Sequence, residues 1–267
     1  MVENTEFPTV QDVSIEGSHG SLFARIWSPS MSRDRAAIIL LHDSLGSVEL
    51  WRGFPFSLCQ ATERRVVAYD RLGFGKSEAH PGKLMLDFVA SEAEHDFTAV
   101  IRQLGISRFI VFGHSVGGGM AVHCAAHLHD KCVALITESA QAFVEDRTIV
   151  GIEDARELFK DESQVNRLGK YHGEKARWVL DAWIGSWLHP DFSTFSLEPV
   201  LPSVYSPVLV IHGEDDEYGS LKHPKLIYEM TGSSAQLEIM DNTSHVPHRE
   251  KEAEVIEMVR EFVAALP

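Results

Sequence analysis

The sequence is poor in cysteine and has no long uninterrupted apolar run. Its 267 residues include three cysteines, Cys59, Cys124 and Cys132, without CxxC spacing and without a group of histidines nearby. This pattern predicts neither a disulfide framework nor a structural zinc site. The N-terminus lacks a basic segment followed by an apolar one, and no apolar run approaches the roughly 20 residues of a membrane span. We therefore expect a cytoplasmic protein without a membrane partner.

Basic residues are scarce relative to acidic ones. The chain has 24 lysines and arginines against 39 aspartates and glutamates, which gives a formal charge of -15. An excess of negative charge opposes contact with nucleic acid phosphates and with anionic membrane surfaces. We expect a small-molecule substrate that is uncharged or aromatic and no nucleic acid partner, and the sequence leaves homodimer formation open.

Apolar runs of strand length alternate with helical patterns along the chain. Residues 9–16 and 20–28 alternate apolar and polar side chains, which predicts a hairpin at a sheet edge. Continuous apolar runs, typical of strands buried on both faces, occupy 36–42, 64–70, 108–114, 132–138 and 207–213. Helical patterns occupy 49–62, 84–104, 116–129, 221–231 and 250–266. The alternation predicts an α/β fold with an open, mostly parallel twisted sheet and helices on both of its faces.

One stretch breaks this alternation. Residues 143–204 show helical patterns without an apolar strand run, and they contain Trp178, Trp183 and Trp187. We interpret this stretch as a helical cap, or lid, over the carboxyl edge of the sheet, inserted into a core domain of residues 1–142 and 205–267. Trp183 and Trp187 share a helical face, so both are predicted to bind substrate. Packing within the cap's own core is the alternative.

The segment "VFGHSVGGG", residues 111–119, places a serine between glycines after a buried strand and before a helix. In this context the G-x-S-x-G pattern predicts a nucleophilic serine, because the sharp turn between strand and helix holds its side chain out above the sheet. Ser115 is the predicted nucleophile, and the N–H of Val116 at the helix start faces a developing oxyanion. The alternative is a glycine-rich phosphate loop, but neither G-x-x-x-x-G-K-[ST] nor G-x-G-x-x-G is present.

A serine hydroxyl needs a base to take its proton and a carboxylate to orient that base. The stretch "HGEDDEYGS", 212–220, supplies acids at a strand end, and "DNTSHVPHRE", 241–250, supplies His245 and His248. The chain order is therefore serine, acid, histidine, which is typical of an α/β-hydrolase.

From about residue 12 to its end the chain resembles the α/β-hydrolase-fold superfamily, as a lidded single-domain serine hydrolase. The segments that carry the resemblance are "LLHDSLGSVELW", "YDRLGFGKS", "GHSVGG", "GEDDEYG" and "SHVPH". More narrowly, the chain is similar to one bacterial branch of unknown substrate. One departure is Asp43, which stands where the family usually has glycine; aspartate tolerates the left-handed backbone conformation better than most residues do.

The resemblance implies the roles of individual residues. It selects Ser115, Asp216 and His245 as the catalytic set, with the backbone N–H groups of Ser44 and Val116 as the oxyanion hole. Three residues remain as alternatives: Asp215 and Glu138 for the acid, and His248 for the base. The implied chemistry needs no metal and no organic cofactor.

The expected reaction is hydrolysis of a carboxylic ester, or of a lactone or thioester, through an acyl-enzyme. Carbon-carbon bond hydrolysis and perhydrolysis use the same catalytic residues and stay open as alternatives. A small-molecule receptor on this fold is the hypothesis from a different class of protein.

Overall fold

A sheet of eight strands organises the residues that the computed structural model describes, 7–30 and 35–266. Residues 1–6, 31–34 and 267, which the sequence assigns to the core domain, lie outside the described residues. The strands are β1 (Thr9–Glu16), β2 (Ser21–Ser28), β3 (Ala37–Leu41), β4 (Val66–Tyr69), β5 (Phe109–His114), β6 (Cys132–Glu138), β7 (Val208–Gly213) and β8 (Ala235–Met240). Their order across the sheet is β1-β2-β4-β3-β5-β6-β7-β8.

The sheet is parallel from β4 to β8, and β1 and β2 form an antiparallel hairpin at one edge. Parallel strands need crossover connections, and helices supply them here. The α-helices are α1 (Phe54–Thr62), α2 (Phe88–Glu94), α3 (Asp96–Gln103), α4 (Val116–His127), α5 (Asp146–Leu158), α6 (Glu162–His172), α7 (Ala176–Trp187), α8 (Lys222–Met230), α9 (Pro247–Glu250) and α10 (Glu252–Ala264). Short 3₁₀ helices occupy Val48–Trp51, Gly173–Lys175, Pro190–Phe192 and Leu201–Ser203.

The continuous apolar strands are explained by burial on both faces. In β3, Ile39 and Leu41 pack into a cluster with α2, α3, α4 and α8, whereas Ile38 and Leu40 pack against α1 and α10 on the opposite face. Successive side chains of a strand point to opposite faces, so a strand covered on both sides must be apolar at every position. The α/β fold class predicted from the sequence is confirmed.

One local prediction was wrong, and one strand was missed. The helical pattern over 84–104 forms two helices, because the chain turns at His95, whose φ is -110° and ψ is -91°. The strand β8 was not predicted, since Gln236 and Glu238 interrupt its apolar residues and its burial alternates between half-buried and exposed positions up to the buried Met240. It pairs in parallel with β7 and forms the second edge of the sheet.

The helices α5 to α7 lie between β6 and β7 in the chain, as the break in the alternation indicated. They contact the loops at the carboxyl ends of the parallel strands. His172 of α6 accepts the Gly75 N–H at 2.8 Å and lies 3.0 Å from the carbonyl oxygen of Leu45. Thr148 of α5 donates to the carbonyl oxygen of Tyr218 at 2.7 Å. The exact division into a core domain and a cap stays a prediction.

Among the helices of residues 7–30 and 35–266, none combines the length and the apolar character needed to span a bilayer.

Candidate active site

The turn that carries Ser115 has a strained backbone. Ser115 has φ 56° and ψ -123°, and helix α4 begins at the next residue. Its N–H donates to the carbonyl oxygen of Glu138 at 2.9 Å, which ties the turn to the neighbouring strand. A Cβ atom at Gly113 would lie 2.0 Å from the carbonyl oxygen of Gly117, so strand and helix approach this closely only with glycine there.

The structure brings Ser115, His245 and Asp216 into one hydrogen-bonded chain. The Nε2 atom of His245 lies 3.0 Å from Ser115 Oγ. The Nδ1 atom of His245 lies 2.9 Å and 2.8 Å from the two carboxylate oxygens of Asp216. Ser115 is 4% exposed and His245 8% exposed, so the three groups are shielded from bulk water.

Backbone contacts in the loop after β7 distinguish Asp216 from its neighbour. Asp216 Oδ1 accepts the N–H groups of Tyr218 at 2.8 Å and Gly219 at 3.0 Å. Burial would raise the pKa of Asp216, but the hydrogen bond and charge interaction with His245, together with His212 and the Tyr218 N–H, outweigh burial and lower the pKa to about 2. Asp215 is exposed, and its N–H donates to the carbonyl oxygen of Thr243. Of the two, Asp216 is the acid in contact with His245.

The alternative acid and the alternative base pair with each other. Glu138, at the end of β6, accepts His248 Nδ1 at 2.5 Å and the His248 backbone N–H at 2.8 Å. With His114 these two side chains form a group whose nitrogen and oxygen atoms lie within 4.8 Å of one another. His114 Nε2 donates to the carbonyl oxygen of His245 at 2.8 Å, so each of these three side chains has a hydrogen-bond partner among the described residues.

The loop after β3 meets the start of α4. A Cβ atom at Gly117 would lie 2.2 Å from the carbonyl oxygen of Leu41, so the first turn of the helix abuts the end of this strand. Val116 is the first helical residue, and its N–H has no partner within the helix. Within residues 7–30 and 35–266 the N–H of Ser44 has no hydrogen-bond acceptor. Asp43 is not among the described residues with positive φ, so the expected need for a left-handed conformation does not arise.

Comparison with known proteins agrees with this architecture. The model of the "Alpha/beta hydrolase family" matches residues 38–258. The chain belongs to the alpha/beta hydrolase family. A relative described as "Bifunctional esterase/perhydrolase DCH", from Acinetobacter calcoaceticus, is 29% identical over 228 residues, which cover 73% of this chain and 79% of the relative.

Other similarities cover less of the sequence or carry lower identity. Human "1-acylglycerol-3-phosphate O-acyltransferase ABHD5" is 34% identical over 104 residues, 36% of this chain, and the match spans 28% of that relative's length. The crystal structure of a hydrolase from Pseudomonas aeruginosa PA01 superposes with a TM-score of 0.74 at 19% identity, covering 99% of this chain and 100% of that one. At that identity the structural match shows the shared fold alone.

The two tryptophans predicted to bind substrate occupy different environments in this family member. Trp187 is 2% exposed and packs against Phe192 and Phe195, with ring centroids 5.3 Å and 6.1 Å away. Trp183 is partly exposed, and its ring lies 6.3 Å from that of Tyr218. The Tyr218 ring in turn lies 4.9 Å from the ring of His245. Substrate contact by either tryptophan stays a prediction.

Three residues near the site have contacts that the sequence did not indicate. Tyr218 lies against His245, and Arg147 of α5 donates to the carbonyl oxygen of Asp216 at 3.0 Å. The Nδ1 atom of His114 lies 3.4 Å from a carboxylate oxygen of Asp43, and its Nε2 atom contacts the carbonyl oxygen of His245. Of the three, His114 alone has a position in the sequence that points to the site, because it is adjacent to Ser115 in the G-x-S-x-G motif.

Proposed function

We propose that the protein is a serine hydrolase that cleaves a carboxylic ester through an acyl-enzyme, with lactones and thioesters as related substrates. The observation that carries the proposal is the chain of contacts from Ser115 Oγ to His245 Nε2, 3.0 Å, and from His245 Nδ1 to Asp216, 2.8 Å. A hydroxyl in contact with an imidazole that is itself oriented by a buried carboxylate is the arrangement that activates serine as a nucleophile.

In the proposed mechanism His245 takes the proton from Ser115 as the oxygen attacks the substrate carbonyl carbon. The negative charge that develops on the carbonyl oxygen is held by the N–H groups of Ser44 and Val116. The protonated His245 then gives its proton to the leaving alcohol, and the acyl group remains on Ser115. Water, deprotonated by the same histidine, releases the acid and restores the enzyme.

The surroundings of His245 support a small substrate with an apolar or aromatic part. The Tyr218 ring lies next to the imidazole, with centroids 4.9 Å apart, and the Trp183 ring lies next to that of Tyr218, with centroids 6.3 Å apart. Aromatic side chains of this kind suit uncharged acyl or aryl groups. We further propose that residues 143–204 form a cap that selects among such groups.

Perhydrolysis is the second candidate, and it is favoured by the relative from Acinetobacter calcoaceticus, whose description names both esterase and perhydrolase. In that reaction hydrogen peroxide replaces water in the second half-reaction and attacks the acyl-enzyme. The same residues serve both reactions, so the two differ in which nucleophile reaches the acyl group.

The test combines turnover with covalent labelling. The purified protein should hydrolyse p-nitrophenyl acetate and be labelled at Ser115 by a fluorophosphonate probe. Ser115→Ala should lose about 10³-fold or more of the activity and all labelling. Ser139→Ala is the matched control, because Ser139 is also buried and has positive φ, 46°, at the end of the adjacent strand. Absence of both turnover and labelling in the wild type would instead indicate a binding protein.

A further inference from the structure

Asp43 brings a negative charge into the loop that holds Ser44. The main-chain carbonyl of Asp43 accepts a hydrogen bond from Arg71 Nη2 at 2.9 Å. One carboxylate oxygen accepts the Leu45 N–H at 2.8 Å, and the other lies 3.4 Å from His114 Nδ1. A carboxylate next to an oxyanion hole repels the charge that develops there, so this loop needs a compensating positive charge.

His114 has acceptors on both sides of its ring. Its Nε2 atom lies 2.8 Å from the carbonyl oxygen of His245, and a carbonyl oxygen can only accept, so Nε2 carries a hydrogen. Its Nδ1 atom faces the carboxylate of Asp43. A hydrogen on both nitrogens makes the ring an imidazolium. The side chain is 2% exposed, and a cation buried to this degree requires a counter-charge close by.

The charged and titratable groups that face His114 come from several elements. They are Asp43 after β3, Glu138 at the end of β6, His245 before α9, and His248 and Arg249 in α9. Burial opposes the charge on His114, but the contact with Asp43 and the charge of Glu138 outweigh burial and raise the pKa of His114. Burial would likewise raise the pKa of Asp43, but the contact with His114 holds this pKa well below its usual range.

Glu138 is not available as the sole partner of His114. It accepts two hydrogen bonds from His248, and burial lowers the pKa of that histidine, which favours its neutral form. The carboxylate that forms an ion-pair contact with the His114 ring is that of Asp43, at 3.4 Å, and Glu138 contributes its charge from farther away.

We propose that His114 is a positioning residue for the reaction proposed above: as a buried cation it neutralises Asp43, so that the loop carrying Ser44 can hold an oxyanion despite its carboxylate. This inference rests on the proposed function. His114 acts through Asp43 and touches no reacting atom. The pairing also explains how aspartate occupies a position where the family usually has glycine.

A double-mutant cycle tests the electrostatic part of the proposal. His114→Asn removes the cation and leaves the carboxylate unpaired, and kcat for p-nitrophenyl acetate should fall about 10²-fold. Asp43→Asn keeps an acceptor for the Leu45 N–H and removes the charge, so its loss should be about tenfold at most. The double variant should return to within about twofold of Asp43→Asn, because no charge is then left to neutralise.

The pH profile provides a readout that a structural role would not change. A raised pKa means that the charged form of His114 is present below that pKa and is lost as the pH rises through it. The wild type should therefore lose kcat on the alkaline side, after correction for uncatalysed hydrolysis. In Asp43→Asn this alkaline decrease should disappear, because deprotonation of His114 then leaves no carboxylate without a neutralising charge.

Nitrogen NMR of histidine-labelled full-length protein tests the ion pair without any turnover. The His114 signals, assigned by their loss in His114→Asn, should show a protonated ring above neutral pH and a lower pKa in Asp43→Asn. If the wild type hydrolyses the ester and labels at Ser115 but the double variant stays as slow as His114→Asn, the proposal is overturned while the proposed function stands. If the wild type is inactive, the proposed function fails, and a neutral His114 ring in the NMR titration would overturn the pairing separately.

Discussion

Replacing Asp216 with asparagine should disable the base although the shape of the side chain hardly changes. Asp216 Oδ1 accepts two backbone N–H groups, from Tyr218 and Gly219, so an asparagine keeps its carbonyl oxygen at this position. Its amide nitrogen then occupies the site of Oδ2, 2.8 Å from His245 Nδ1. The retained Oδ1 also lies 2.9 Å from Nδ1, but the two backbone N–H groups occupy both of its lone pairs. The amide nitrogen therefore donates to Nδ1, and the histidine carries its hydrogen on Nε2. In that tautomer His245 cannot take a proton from Ser115.

The magnitude follows from the alternative orientation of the asparagine. Turning the amide to restore the productive tautomer would leave the two backbone N–H groups facing a donor. Each unsatisfied buried N–H costs about 1–3 kcal/mol, so this orientation is disfavoured by about 2–6 kcal/mol. The corresponding loss in kcat lies between about 30-fold and about 3 × 10⁴-fold. Losses of about 10⁴-fold are known for this change in other catalytic triads.

The assay is single-turnover or steady-state hydrolysis of p-nitrophenyl acetate, with folding checked by circular dichroism. Asp215→Asn is the matched control, because Asp215 is adjacent, carries the same charge and is exposed. It should retain most of the activity. A fully folded Asp216→Asn variant within about threefold of the wild type would refute the tautomer argument. If Asp215→Asn were inactive and Asp216→Asn active, the acid would be Asp215, and the assignment to Asp216 would be wrong.

Two further predictions concern packing and burial. Trp183→Ala should change the ranking of acyl groups with little effect on melting temperature. Trp187→Ala removes a ring that is 2% exposed, so it should lower the free energy of unfolding by about 3–5 kcal/mol. Unchanged acyl selectivity in both variants would show that neither tryptophan contacts the substrate. Burial raises the pKa of Glu92 from 4.5 to about 7, so the wild type should lose stability, by about 3 kcal/mol at most, as the pH rises from about 5 to 8. Melting temperatures at both pH values should show a smaller loss in Glu92→Gln, and an equal loss would contradict the buried-carboxylate argument.

The buried strands were predictable because burial on both faces requires a continuous run of apolar residues. Strand β3 is apolar at every position, and β5 is apolar from Phe109 to Phe112. The edge strand β8 has no such run, because one of its faces is exposed and Gln236 and Glu238 interrupt its apolar residues. The break between α2 and α3 was also invisible, since nothing in the residues around His95 forbids a continuous helix.

For the site, local geometry was predictable and long-range pairing was not. The turn at Ser115 is specified by its flanking glycines, and the order of serine, acid and histidine follows the chain. The pairing of Glu138 with His248 joins residues 110 positions apart and depends on how β6 and α9 are packed. The contact between Asp43 and His114 likewise arises because β3 and β5 are neighbours in the sheet. Only the folded chain brings those side chains together.

The helical insertion is divided between two apolar clusters, which matters for anyone who wishes to exchange it between family members. An outer cluster joins Phe74 to residues of α6 and early α7, namely Val165, Leu168, Ala176, Val179 and Leu180. The end of α7 and the chain beyond it, Trp187, Phe192, Leu197, Leu201 and Val204, pack into the cluster that covers one face of the sheet. A chimera with junctions at residues 143 and 204 would therefore import foreign side chains into that core. Junctions that enclose α6 and the first half of α7 would leave the core intact and exchange the outer layer alone.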